Sequence, residues 1–268
     1  MGQLHLIPDP ERLEESCALA AAYDACFEYN DFYDLSLLDD DARRRERIES
    51  YLRLERDRSR DTLHGAFLDV TVHSEDPLIR AASERRVMQS MEAAGALGVR
   101  GVVFHTGTIP NFKSGYYTEN WLRRNRAFWR RVAERYPDTE ILMENMFDLD
   151  PTLLLALADE LRDVPTFGVC LDYAHAMAFG SAWGTPERWL DVLAPHVRHL
   201  HINDNDGVDD LHDAVGQGVI DWEGFTRAVR TLERAPSVLV EVKPLEKQAL
   251  SLRQMKCHHI YPFDAERS

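Results

Sequence analysis

Eight times along the chain, a short apolar run is followed by a segment with helical periodicity, and this alternation limits the fold more than any other feature. The runs are Gln3–Ile7, Ala25–Asn30, 62–71, 101–107, 140–146, 166–175, 197–202 and 237–243. The helical segments between and after them include Pro77–Leu97, closed by Gly98, Trp121–Tyr136, Pro151–Leu161, Pro186–Leu193, Trp222–Leu232 and Leu245–Cys257. The charged stretch Asp39–Arg60 reads as the second outer helix. Strands that alternate with helices pair in parallel through right-handed crossovers. Eight such units in about 250 residues match a closed (β/α)8 barrel. A doubly wound open sheet competes, but its Gly-x-Gly-x-x-Gly turn after the first strand is missing.

No composition break or long linker interrupts the 268 residues, so we expect a single barrel domain over 1–268. The net charge of −15 argues against nucleic acid as the main partner, because gripping phosphate backbones relies on Lys and Arg. Cys17, Cys26, Cys170 and Cys257 are scattered without a Cys-x-x-Cys pair and read as reduced thiols. No secretory signal and no apolar run of membrane-spanning length is visible, so a cytoplasmic protein is expected.

Six of the strand runs carry a polar side chain read as lying at or near the C-terminal end of the strand: His64, His105, Glu144, Asp172, His201 and Glu241. In a barrel, the C-terminal strand ends meet on the active face. Any one of these histidines alone would read as a hydrogen-bonded structural residue. Glu144 in ILMEN and Glu241 in VLVEV are harder to set aside, since a buried carboxylate needs a compensating cation. The segment 198–222 adds Asp210, His212, Gly216 and Gly218 in one strand-to-helix loop. Imidazole and carboxylate together suit Mn²⁺, Zn²⁺ or Co²⁺.

The pieces LHGAF, VVFHTG, LMEN, LDYAH, HLHIND, the His-then-Gly-x-Gly-x-Ile-Asp-Trp segment and LVEVK stand in the order found in the sugar phosphate isomerase/epimerase family. The chain resembles that family, whose xylose-isomerase-like TIM barrel is shared with endonuclease IV. By this resemblance, Glu144, Asp172, His201 and Glu241 hold one divalent metal, and His175 faces the substrate or a further metal. The endonuclease IV branch implies a larger set: His64, His105, Glu144, Asp172, His175, His201, Asp210, His212 and Glu241. All nine positions carry a suitable ligand.

Two chemistries follow as expectations. The first is a divalent-metal-dependent isomerase or epimerase of a small sugar, keto-sugar or polyol-derived substrate. In it, Glu144 and Glu241 move protons on opposite faces of an enediolate, His175 assists, and His64, His105, His212 and Lys243 contact substrate. The alternative is an endonuclease IV-like multinuclear hydrolase of phosphoesters, abasic DNA included. A barrel that binds a ligand without catalysis ranks below both. The partner expected is a small molecule, and a homodimer is compatible with the sequence.

Several smaller signals carry expectations too. The arginines of Trp121–Tyr136 fall off its apolar stripe and read as a solvated face. The loop Gly107–Asn120 offers Phe112, Lys113, Tyr116 and Tyr117 as substrate or dimer contacts. Phe179 and Trp183 are candidates for a pocket wall or, equally, for core packing.

Overall fold

The computed structural model describes residues 2–112 and 114–263. In chain order the elements are β1 (Leu4–Leu6), α1 (Leu13–Ala22), β2 (Cys26–Tyr29), α2 (Leu35–Leu38), α3 (Asp41–Leu52) and β3 (Thr62–His64). Next come α4 (Pro77–Leu97), β4 (Gly101–His105), α5 (Gly115–Arg135), β5 (Glu140–Glu144), α6 (Thr152–Glu160) and β6 (Phe167–Asp172). The last are α7 (Tyr173–Ala178), α8 (Pro186–Leu193), β7 (Val197–Ile202), α9 (Trp222–Val229), β8 (Ser237–Val240) and α10 (Leu245–Cys257). The strands form a closed barrel in sequence order, every neighbour parallel. This is the (β/α)8 architecture expected from the alternation.

Period-two side-chain alternation divides each strand between two environments. Val102, Phe104, Ile141, Met143, Val169, Leu171, Leu200, Val238 and Val240 join the large apolar cluster under the helices. Val103, Leu142 and Cys170 form a separate small cluster. The same alternating set, continued upward, carries His105, Glu144 and Asp172. Register completes the alignment: His105 pairs with Glu144, and Asp172 with His201. Trp121, Trp129 and Trp189 are fully buried in the outer layer. Truncating one to alanine would cost about 3–5 kcal/mol.

The helix ends follow local chemistry. Asp76 caps α4 by accepting from Leu78 N–H, Pro77 occupies the first turn, and Gly98 closes the helix at φ 71°. The arginines of α5 pair outward with neighbouring helices: Arg126 with Glu160 (2.8 Å), Arg130 with Asp163 (2.8 Å) and Arg131 with Glu84 (3.3 Å). That is the solvated face expected, with each pair worth at most about 1 kcal/mol. No helix among the described residues is long and apolar enough to cross a membrane.

Four local expectations need correction. The run 62–71 stays in the sheet only to His64; Leu68 then takes a left-handed φ of 61° and the apolar residues line a loop. The segment Gly107–Asn120 is loop only in its first half, because Ser114 caps α5 through Tyr117 N–H and the helix starts at Gly115. His175 lies on α7 and not on a strand, because Asp172 caps that helix by accepting from His175 N–H at 2.6 Å. The second outer helix ends at Leu52, short of Arg60.

Candidate metal centre

The residues expected to act as ligands gather in groups that could hold a metal ion. Glu144, Asp172, His201 and Glu241 offer one ligand atom each, all within 4.8 Å of one another. His201 Nδ1 is 3.0 Å from Glu144 Oε1 and 3.2 Å from Glu241 Oε2. A second set, His64, His105 and Glu144, meets the same distance limit. There His105 Nε2 lies 3.1 Å and His64 Nε2 3.6 Å from Glu144 Oε2. The third set is His175, Asp210 and His212. In it Asp210 Oδ2 is 3.4 Å from His175 Nε2 and 3.3 Å from His212 Nε2. All nine expected ligands therefore fall into three adjoining sets, and Glu144 belongs to two of them.

The donors are oriented by the backbone. The Nδ1 atoms of His64, His175 and His212 lie 3.0, 3.0 and 2.7 Å from the carbonyls of Gly65, Asn145 and Glu241. A donor at Nδ1 leaves Nε2 as the lone-pair nitrogen, the arrangement metal-ligating histidines use. Asn145 locks Asp172 in place, accepting from Asp172 N–H and donating to Asp172 O, both at 2.9 Å. The loop bearing Asp210 and His212 is tied to buried Asp204. Its carboxylate accepts from Gly216 N–H (2.8 Å), Ile220 N–H (3.2 Å) and Trp222 Nε1–H (2.8 Å). Gly218 is required here, since a Cβ would stand 2.1 Å from Asn205 O.

These side chains fit divalent metal. Buried atoms that make no hydrogen bond include Glu144 Oε1 and Oε2, Asp172 Oδ2, His175 Nε2, His201 Nδ1, Asp210 Oδ1 and Glu241 Oε2. Orphaned polar atoms cost free energy unless something else satisfies them. Their charges also strain one another. Burial lifts the Asp172 carboxyl, His175 opposes this, and Glu241 and Glu144 lift it again, to about 7. Burial disfavours charge on His175, yet Asp172, Asp210 and Glu144 outweigh it and raise the ring to about 10. His212 behaves alike, with burial overcome by Asp210 and Glu241, and reaches about 9. Protons stand where cations would serve the same carboxylates.

The remaining site candidates are also placed. His64, His212, Glu241 and exposed Lys243 line one cavity of about 330 Å³ at the mouth, together with Tyr33 and Phe67. The ion pair beside it is made by Lys247, 2.9 Å from Asp213. Phe179 packs near His175, with ring centroids 5.7 Å apart. Trp183 packs instead on Trp189, with Arg188 over its ring. Tyr117 accepts from Ile109 N–H, Phe112 packs on Tyr117, and Tyr116 bonds Glu75 in the connection between β3 and α4. Lys113 lies outside the described residues.

One buried residue escaped the sequence reading of the site. Glu28 Oε1 lies 3.1 Å from His201 Nε2, and its Oε2 accepts from Thr62 Oγ1–H at 2.6 Å. The signal was present: Glu28 is polar in an otherwise apolar strand, as Glu144 and Glu241 are. By register it pairs with Thr62, two residues below the level of His64, and so lies beneath the strand-end residues that carry the other candidates.

The family model described as xylose isomerase-like TIM barrel matches residues 18–256. A probable endonuclease 4 of Halorhodospira halophila is 27% identical over 187 residues, 62% of this chain and 61% of that protein. The chain spans 56% of another curated relative, so it matches less than two thirds of the length of either. A D-tagatose 3-epimerase-like protein superposes with a TM-score of 0.75 at 22% identity, over 96% of this chain and 97% of its own. A Thermus thermophilus protein soaked with zinc chloride gives 0.67 at 27% identity, over 96% and 98%. The chain belongs to the xylose isomerase-like TIM barrel family. Its clustered acidic and imidazole side chains are capable of holding divalent metal.

Proposed function

We propose that the protein is a multinuclear, divalent-metal-dependent hydrolase of phosphoesters. The observation that carries this is the double membership of Glu144. Its Oε1 faces His201 while its Oε2 faces His105 and His64. A carboxylate with imidazoles facing each of its oxygens is suited to serving two ions, which would leave it no oxygen for removing a proton from carbon.

Charge supports the same reading. Glu144, Asp172, Asp210 and Glu241 bring four negative charges to the mouth. One divalent ion leaves that set net negative and repels phosphate; three leave it net positive and attract it. Zn²⁺, Mn²⁺ or Co²⁺ would suit the His/Asp/Glu donors, and when bound would supply Lewis acidity toward a phosphoryl oxygen and activate water at neutral pH. Glu144, Asp172, His201 and Glu241 would form the deep ligand set, with His64 and His105 on one flank and His175, Asp210 and His212 on the other. Asp210 and His212 are only partly buried, so a substrate enters on their side. Lys243 at that mouth would hold an anionic oxygen. The acidic chain as a whole favours a small phosphoester over long nucleic acid.

The second reading is the sugar isomerase or epimerase. Glu144 and Glu241 come from β5 and the end of β8, three strands apart, and both flank His201, as two-faced proton transfer would need. The epimerase-like fold neighbour supports it. Metal analysis of the purified chain separates the two: near three ions per chain, with release of phosphate or alcohol from simple esters, is expected. One ion per chain with solvent deuterium entering a sugar carbon would replace the hydrolase by the epimerase.

A further inference from the structure

Beside the ligand sets lies a second cavity of about 220 Å³, between the loops that follow β3, β4 and β5. His105 forms part of its wall, and the rest is largely Phe67, Leu68, Val70, Ile109, Met146 and Phe147. Among the described residues, no Lys, Arg, Asp or Glu lines it. The hydroxyls of Thr106 and Thr108 donate to Asp148 at 2.6 and 3.0 Å, so their protons are committed there and are not offered to a ligand in the cavity. An apolar cavity of about 150 Å³ already takes up benzene.

The rim is apolar as well. Leu68 is 61% exposed, Ile109 53% and Phe147 38%. Leu68 keeps a leucine at φ 61°, where Asn or Gly would sit with less strain. Phe67 divides the two cavities: it lines both and packs on His105 and His64, with centroids 5.1 and 5.4 Å away. The mouth is thus two-sided, with Lys243, His212 and Glu241 on one side and an uncharged hydrocarbon wall on the other.

We infer that the substrate is a phosphoester carrying an apolar, ring-sized group, seated in the cavity beyond His105 with its phosphate at the ligand sets. This rests on the phosphoester reading and narrows it: an unadorned polyol phosphate or an extended nucleic-acid backbone would leave that wall uncovered. The test is calorimetric binding of phenylphosphonate and methylphosphonate to the zinc-loaded chain, a readout that needs no turnover. Burying the ring makes phenylphosphonate at least about tenfold tighter. Leu68→Asn and Phe147→Asp, both at exposed positions, bring the ratio toward one. Equal affinities in the unmodified chain, or a ratio that neither substitution moves, overturn the inference and leave the hydrolase standing. If neither phosphonate binds, the phosphoester reading itself falls.

Discussion

Glu28 Oε1 stands 3.1 Å from His201 Nε2, on the opposite edge of the ring from the atom that faces Glu144 and Glu241. A carboxylate behind a ligating imidazole fixes its orientation and raises its basicity, and such partners are commonly worth 10–100-fold in metal affinity. Burial pushes the Glu28 carboxyl up, but His201 and His199 outweigh this and hold it well below its usual range, so it stays charged. Glu28→Ala is therefore expected to weaken zinc binding by about 10- to 100-fold in a chelator competition, while Glu28→Gln, which keeps an acceptor, recovers part of the loss. Three proteins with one affinity would show that His201 needs no such support.

Glu144 belongs to two ligand sets and His212 to one, so their removal should differ in stoichiometry. His212→Ala is expected to lose one ion per chain and Glu144→Ala more than one, by elemental analysis after gel filtration. The proposed hydrolysis should fall by about 10²- to 10³-fold in Glu144→Ala, as when a main electrostatic stabiliser is deleted. A Glu144→Ala protein with its full metal complement would break the bridging argument.

Much of this centre could be read from residue order. A polar residue that ends an apolar run is conspicuous, and the barrel rule turns six such ends into one cavity. What stayed hidden depended on contacts between distant segments. Asn145 is an ordinary loop residue until β6 brings Asp172 against it. The first turns of α5 contain Gly115 and Asn120, weak helix formers, and the helix is nevertheless supported there by Asn120 Nδ2 donating to His73 O. The apolar wall around Leu68 and Ile109 reads in sequence as a strand and a contact loop, because apolar residues in a loop leave no periodic mark.

Asp204 links the third ligand set to stability. It accepts from three separated donors, Gly216 N–H, Ile220 N–H and the Trp222 indole, all within the loop that carries Asp210 and His212 or at its end. Asp204→Ala would strand the buried Ile220 N–H and Trp222 indole at about 1–3 kcal/mol each, so a total loss of about 2 kcal/mol or more is expected in urea unfolding. The variant should also lose the ion nearest His175, since the loop geometry goes with the anchor. Unchanged stability would mean that water replaces the carboxylate without cost.

Acid should destabilise the fold through a histidine far from the ligands in role. His73 is buried against the rings of Tyr117 and Trp121, with centroids 5.8 and 6.2 Å away. Burial, with a smaller push from Arg124, lowers its pKa from 6.5 to about 4. The sign follows from which state binds the proton more readily. Above pH 6.5 neither state is protonated, and the full contribution of His73 is present. As pH falls from 6.5 toward 4 the unfolded chain takes up a proton that the folded chain refuses, and stability is lost at up to about 1.4 kcal/mol per pH unit. By pH 5 the loss attributable to His73 is about 2 kcal/mol. Replacing it with phenylalanine keeps an aromatic ring in the same packing and removes the proton site. Urea unfolding at pH 7, 6 and 5 should then show a shallower acid slope for His73→Phe, by up to one proton per molecule. Parallel slopes would place the acid sensitivity elsewhere and leave His73 protonated in the folded state.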